Sequence, residues 1–566
     1  MQKRWAITKH DHETARRFAA ELQCSPLLAA ILTARGFETV EKATKFLNPA
    51  YEDLHEPFLM HGVREAAERI HQAIERNEKI LIWGDYDVDG TTGTTLLRSV
   101  INTLGGESTF HIPNRFTEGY GVNTPALQKA KADGVSLAIT VDCGIRSFEP
   151  LEWAKENGLD VIVTDHHLSD ESRGNPPAFA VVNPNQPGCE YPDKNLAGVG
   201  VAFKLAHAML REKGHADKIN DLLKITAIGT VADIMQLTGE NRSIVALGLR
   251  DLPKTKNWGL KALMEVADCR SDMTSYDIGF RIAPRINAAG RMEVAKHVVD
   301  LLECEDFNEA RRLANLLDSR NRERQKMQQQ ITELALLETD KLSETKFVVV
   351  SGEGWHRGVI GLAASRIAER VYRPTIVLSC ENGVAHGSAR GIPNFHLLQA
   401  MESCSELFEQ FGGHAAAAGM KLKTGNIEKL REMLDIHASN TLSEDQLVPV
   451  LKIDAHVSSE TLSLAMVEEL KRLEPFGAGN PKPVFVTKDL SIDEEPFVMK
   501  EKHLKLKLAG SSGKRFEAVW WDGVERSKGC TLRRGNGIEL AYTPEANVWQ
   551  GNTRLQLVVE DLREHN

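Results

Sequence analysis

The sequence predicts an α/β protein in which a parallel-sheet domain is followed by a long linking helix, a second α/β domain and a small β-barrel. Three observations predict it. Short apolar runs alternate with helical patterns through the first half of the chain, which is how buried parallel strands read. A polar stretch from Phe307 to about Leu342 has little apolar stripe in its middle, as expected of a solvent-bridging helix. After Pro449 the pattern changes to short alternating segments with glycine-rich turns, such as His503-Leu-Lys-Leu-Lys-Leu, the signature of a small barrel.

Residues 1–50 read as short helices ending at Asn48-Pro49, forming a cap on the next domain. Residues 51–315 make the parallel-sheet domain, 316–342 the linking helix, 343–448 the second α/β domain and 449–566 the barrel, expected to be an OB-fold. With 566 residues, 42% hydrophobic and 26% charged, the chain has an ordinary globular composition. A net charge of −10 neither announces nor excludes a nucleic-acid binder, because a local basic groove is what matters. Eight cysteines show no CxxC or zinc-ribbon spacing, which argues against disulfide scaffolds and Cys-zinc sites and makes a reducing cytoplasm the expectation. No apolar run approaches the ~18 residues needed to span a bilayer, so no membrane association is expected, and a monomer is the default.

Four apolar runs carry the chemistry. Residues 80–83 lead into Gly84-Asp85-Tyr86-Asp87-Val88-Asp89-Gly90, residues 137–141 into Asp142-Cys143-Gly144, residues 160–164 into Asp165-His166-His167, and residues 225–232 into Asp233. Read as strands, they would place these side chains outside the carboxyl ends of a parallel sheet, where such sheets bind ligands. A calcium loop is rejected, because its twelfth position would be Leu96 rather than Glu. The bland alternative is that the acids cap the next helix. One aspartate would fit that, but three in five residues repel each other unless cations neutralise them. Adjacent imidazoles at a strand end rarely serve packing, whereas Asp142 and Asp233 taken singly are more often turn or cap residues. Carboxylates with one or two imidazoles suit Mn²⁺ or Mg²⁺ better than zinc. Two such ions about 3.5–4 Å apart can activate water and stabilise a leaving oxygen in phosphoryl displacement.

At these residues the chain resembles the DHH phosphoesterase family, named for the triplet found here at Asp165-His166-His167. The ordered set also includes Gly229-Thr-Val-Ala-Asp, Pro284-Arg-Ile-Asn-Ala-Ala-Gly-Arg, Gly354-Trp-His-Arg-Gly-Val-Ile-Gly, Gly387-Ser-Ala-Arg-Gly and Gly412-Gly-His-Ala-Ala-Ala-Ala-Gly. It runs over nearly the whole chain and is similar to the branch that degrades single-stranded DNA from its 5′ end. The resemblance implies a DHH domain, a DHH-associated domain and two divalent cations. By position, Asp89, Asp142, His166 and Asp233 would hold one ion, and Asp85, Asp87 and a bridging Asp142 the other. Many small members carry a His where this chain has Trp83, so Asp85 would supply the missing ligand. His167 would stabilise charge on the phosphate or orient a ligand, and Arg285 or Arg291 would contact the scissile phosphate.

A 5′ exonuclease must also grip a terminal phosphate, for which the planar fork of Arg is suited. The resemblance assigns this to Ser388, Arg390 and Arg115, with His356, Gly413 and His414 nearby; an ordinary glycine-rich turn is the competing reading. Tyr120, between glycines, is a candidate base-stacking residue or a core tyrosine beside a turn. Lys505 and Lys507 share one strand face and read either as a guarded edge or as a track for single-stranded DNA, with Trp520, Trp521 or Trp549 as stacking partners. A single-strand-binding protein and a recombination helicase are partners by resemblance alone. Two other functions compete: a phosphodiesterase of short oligoribonucleotides or cyclic dinucleotides, which needs no extended track, and a non-catalytic single-strand-binding module, which could dispense with the metal ligands.

Overall fold

Arg242, fully buried, explains an unexpected piece of chain organisation. Its guanidinium donates to the carbonyls of Phe46 (2.7 Å), Leu473 (3.0 Å) and Glu474 (2.6 Å), so residues 471–482 fold with the sheet domain rather than with the barrel that flanks them in sequence. The protein is seen in a computed structural model describing residues 3–115, 117–292, 295–339 and 345–565. Two compact units result: Thr39–Asn321 with Lys471–Lys482, and Met1–Glu38 with Arg322–Leu470 and Pro483–Asn566.

In the first unit five parallel strands lie in the order Ser108–His111, Lys79–Trp83, Val135–Val141, Asp160–Thr164 and Ala180–Val182. Alternate side chains feed opposite cores. Ile80, Ile82, Leu137, Ile139 and Ile162 pack with the helices Val63–Glu75, Val88–Thr103 and Gly198–Glu212, while Leu81, Trp83, Ala138, Val161 and Val163 pack with Thr124–Ala132 and Phe148–Glu156. Both faces are therefore covered, which is why the strands read as continuous apolar runs.

One of the four runs is not a strand. Residues 225–232 lie in the helix Ile219–Ala232. This helix sends Leu222 and Leu223 into one core and Ala227 and Ile228 into another, so its second half, residues 225–232, carries no charged residue and lacks the periodicity that would distinguish it from a buried strand.

The helix Phe307–Thr339 is continuous over 33 residues. Ala310, Leu313, Ala314 and Leu317 bury at its start and Ile331 and Ala335 near its end, leaving the polar middle seen in the sequence. Residues 340–342 of the expected helix lie outside the described residues.

The second unit holds a five-stranded mixed sheet in the order Phe408–Gly413, Ala417–Lys423, Val384–Arg390, Thr375–Glu381, Val348–Glu353. It also holds a barrel in which Phe485–Met499 pairs with both His503–Gly510 and Gly537–Trp549, closing the sheet. The expected N-terminal helical cap differs. Residues Arg4–Ile7 form a strand parallel to Val450–Ile453, with Trp5 packed on Ile453, Val486 and Ala541 and its indole donating to Asp561 at 2.7 Å. The helices His12–Glu21 and Pro26–Ala34 belong to this unit, whereas Val40–Leu47 belongs to the first.

Candidate metal centre

Three strand ends and one helix end converge within the first unit. Asp85, Asp87 and Asp142 offer oxygens within 4.8 Å of one another, as do ligand atoms of Asp89, His166 and Asp233, and of Asp142, His166 and His167. His166 Nε2 lies 3.2 Å from Asp142 Oδ1, 3.6 Å from Asp233 Oδ2 and 3.9 Å from Asp89 Oδ2.

Each carboxylate is placed by local structure. Asp87 caps the helix Val88–Thr103 by accepting from Gly90 N at 3.0 Å, so it serves as a cap and still lines the cluster. Asp89 accepts from the amides of Gly198 (2.6 Å) and Val199 (2.7 Å), the first residues of the helix Gly198–Glu212, where the dipole favours a negative charge. A Cβ on Gly198 would lie 2.6 Å from Asp142 Cβ, so only glycine permits that approach. Asp142 itself has φ of 61°, a left-handed conformation costly outside glycine and typical of functional turns. Asp233 caps the end of the helix Ile219–Ala232. Asp165 accepts from the amides of Ile145, His166 and His167 and lies 2.8 Å from His167 Nδ1, which fixes the ring. Asn185 and Asn183 donate to the carbonyls of His166 and His167, pinning the turn.

Burial, then mutual repulsion, pushes the Asp85, Asp89 and Asp142 carboxyls well above the usual range. Burial raises Asp87 too; burial and the Asp87 charge push Asp233 up to about 7. Burial, then the neighbouring His167, lowers His166 to about 4, leaving a neutral imidazole ready to ligate. Burial opposes protonation of His167, but Asp165 outweighs it and raises that group. Asp85 Oδ1 and Asp142 Oδ1 are buried without a hydrogen-bond partner. Buried carboxyl oxygens that accept no hydrogen bond among the described residues, crowded by other carboxylates, fit divalent cations as ligands.

Tyr120 joins this site: its hydroxyl donates to Asp142 O at 3.0 Å and lies 3.4 Å from His167 Nδ1. Arg115 stacks over the Tyr86 ring at 4.7 Å. The helix Ala283–Arg291 abuts the same loop, since a Cβ on Gly290 would lie 2.2 Å from Tyr86 O. Tyr86 is pushed up to about 12 by burial and by Asp85, against the charges of Arg115 and Arg291, which places both arginines in the field of the loop. Of the two candidates for the scissile phosphate, Arg285 donates to Asp318 (2.9 Å) and to the carbonyls of Arg281 and Val266, which braces the start of the helix Phe307–Thr339.

In the second unit Arg390 donates to Ser388 Oγ (2.9 Å) and Ser365 Oγ (3.1 Å). A Cβ on Gly361 would lie 3.0 Å from both Arg390 Nη2 and Ser388 Oγ, so the pair faces the first turns of the helix Arg357–Val371, capped by His356. Gly413 and His414 lie at an exposed turn, with His414 N donating to Ala417 O. Of the expected lysine track, Lys505 pairs with Glu517 (3.0 Å) and Lys507 with Glu494 (2.7 Å), so each has an acidic partner across the sheet. Trp520 is buried in the barrel and Trp521 is 52% exposed; the Trp549 side chain lies outside the described residues. Sequence reasoning passed over the amide clamp on Asp89. Its signal was Ala197-Gly-Val-Gly opening an apolar helix.

The chain matches the DHH family N-terminal domain over residues 79–230, the DHHA1 domain over 344–439 and the RecJ OB domain over 453–561. It is 41% identical over 564 residues to the single-stranded-DNA-specific exonuclease RecJ of Bacillus subtilis (strain 168), covering 99% of this chain and 70% of that one. The chain belongs to the RecJ family. A RecJ of Salmonella typhimurium is 34% identical, with 95% and 96% of the two chains covered. The fold is likewise that of a RecJ: the crystal structure of the Thermus thermophilus RecJ in complex with Mn²⁺ has a TM-score of 0.85 at 29% identity, covering 100% of this chain and 80% of that one. The same protein in complex with Mg²⁺ gives 0.79 at 27% identity, covering 100% and 79%.

Proposed function

We propose that this chain is a single-stranded-DNA-specific exonuclease of the cytoplasm, removing 5′-mononucleotides from the 5′ end in DNA recombination and repair, with Mn²⁺ or Mg²⁺ as cofactor. The observation that carries the reading is the buried, unpartnered carboxylate oxygens of Asp85 and Asp142 at the centre of three overlapping ligand groups. Asp89, Asp142, His166 and Asp233 would hold one cation and Asp85, Asp87 and Asp142 the other. Bound there, the cations supply water activation and neutralise charge on the reacting phosphate.

The chain's own residues do the rest. Asp165 holds His167 with Nδ1 engaged, leaving Nε2 to face developing charge on the phosphate. Arg291 balances the same charge from the helix that abuts the Tyr86 loop. Arg115 and Tyr120 contact the substrate strand beside the cluster, and in the second unit Ser388 and Arg390 bind a 5′ phosphate. Water adds to phosphorus as the bond to the 3′ oxygen breaks, so the shortened strand again begins with a 5′ phosphate and fits the same pocket. Trp521 offers a stacking surface on the barrel. A single-strand-binding protein and a recombination helicase would deliver the strand to a monomeric enzyme.

The test is a 5′-labelled single strand incubated with Mn²⁺, with and without EDTA, beside a cyclic dinucleotide. Release of labelled mononucleotide from the DNA alone, stopped by EDTA, is expected. Turnover of the cyclic dinucleotide alone, or binding without cleavage, would contradict the reading.

A further inference from the structure

Between the strand end at His111 and the helix start at Thr124 runs the loop that carries Arg115 and Tyr120, and a single carboxylate gathers it. Glu118 Oε1 accepts from the amide of Asn114 at 2.9 Å. Its Oε2 lies 2.9 Å from His111 Nε2 and accepts from Asn123 Nδ2 at 3.3 Å. Two of these partners belong to regular elements. The His111 ring packs 4.5 Å from Trp83, and its carbonyl accepts from the amide of Gly84, the residue before Asp85. Asn123 caps the helix Thr124–Ala132 through Ala126 N. The backbone closes the turn with Glu118 N donating to Asn114 O at 2.8 Å.

We infer that Glu118 is a positioning residue: its carboxylate ties the loop of residues 114–123 to the strand end and helix start, so that Arg115 and Tyr120 meet the substrate strand already ordered. The inference rests on the reading above, in which those two residues contact DNA. Left untied, this loop would pay its ordering entropy when DNA binds. The Glu118 side chain is 29% exposed, so its bonds contribute little to global stability, and their effect falls on pre-organisation. Burial works against its ionisation, but the Asn114 amide and His111 outweigh this and hold the carboxyl below its ordinary value.

The experiment uses the full chain with Mn²⁺ and matched oligonucleotides bearing a 5′ phosphate or a 5′ hydroxyl. Glu118→Ala is expected to raise KM by ~10-fold, the loss of charge-assisted hydrogen bonds, with a smaller change in kcat and a melting temperature within about 2 °C of the parent. Glu118→Gln, which keeps an acceptor for Asn114 but opposes an amide to Asn123, should fall between. Because Glu118 acts in part through Arg115, the Glu118→Ala change should raise KM by a smaller factor in an Arg115→Ala background than in the parent. A normal KM in Glu118→Ala, or effects that multiply in the double variant, would overturn the inference. So would a lowered melting temperature with kcat and KM falling together, which marks a merely structural role. A normal KM in Arg115→Ala with a raised one in Glu118→Ala would instead sink the assignment of Arg115 as a DNA contact.

Discussion

The carboxyl end of the parallel sheet and the barrel strand His503–Gly510 both present like charges at short spacing, and they end up in opposite states. At the sheet, Asp85, Asp87, Asp89, Asp142 and Asp233 are gathered largely out of water with His166 as a neutral neighbour, and among the described residues Asp85 Oδ1 and Asp142 Oδ1 accept no hydrogen bond. On the barrel, Lys505 and Lys507 each meet a cross-strand glutamate in a partly exposed position. Charge spacing alone does not mark a ligand site. What distinguishes the two is whether the fold supplies counter-charges: the lysines have carboxylate partners, whereas the crowded carboxylates must take up protons or bind cations.

Breaking the first region should have the largest effect. Asp142→Ala removes the carboxylate shared by both ligand groups, and loss of several kcal/mol of charge stabilisation corresponds to about a 10³-fold lower kcat. Single-stranded DNA binding, read by fluorescence anisotropy, should survive. Near-normal turnover would refute the bridging role.

The next effect sharpens the comparison through pH. Without cations the folded state holds the Asp233 proton with a pKa of about 7, above about 3.9 in an unfolded chain. Asp233 therefore costs stability increasingly as pH rises from about 4 through about 7. His166 has the opposite sign, its folded value of about 4 lying below about 6.5, and its contribution is complete above that pH. Cations compete with the protons, so the gain in melting temperature from Mn²⁺ over EDTA should grow between pH 5 and pH 8, most steeply near 7. A gain independent of pH would show that cations bind elsewhere.

The smallest effects belong to the barrel. Trp521→Ala, which removes an exposed stacking surface, should weaken DNA binding ~10-fold. Because their partners already neutralise them, Lys505→Ala and Lys507→Ala should each weaken it by about 2-fold or less. The reverse order would assign the DNA contact to the lysine track instead of the exposed tryptophan.

Much of this was legible in the sequence for a physical reason: buried parallel strands are apolar on both faces, and the residues just past their ends cannot hide their chemistry. Asp85, Asp142 and His166 follow such strands and were found that way. Asp233 lies in the cluster but follows a helix and not the expected strand, since residues 225–232 form a nearly unbroken apolar run that hides the helical period. The strand at Arg4–Ile7 and the return of residues 471–482 to the first unit depend on pairings more than two hundred residues apart, which no local pattern carries. Arg285 and Arg291 share one motif, and the pairing of Arg285 with Asp318, 33 positions away, is not carried by it.

Anomalous diffraction at the manganese edge from crystals soaked in Mn²⁺ tests the account most directly. Two peaks are predicted, one among Asp89, His166 and Asp233 and one between Asp85 and Asp87, with Asp142 touching both. Peaks absent from this cluster, or a single ion that leaves Asp142 uncoordinated, would contradict it.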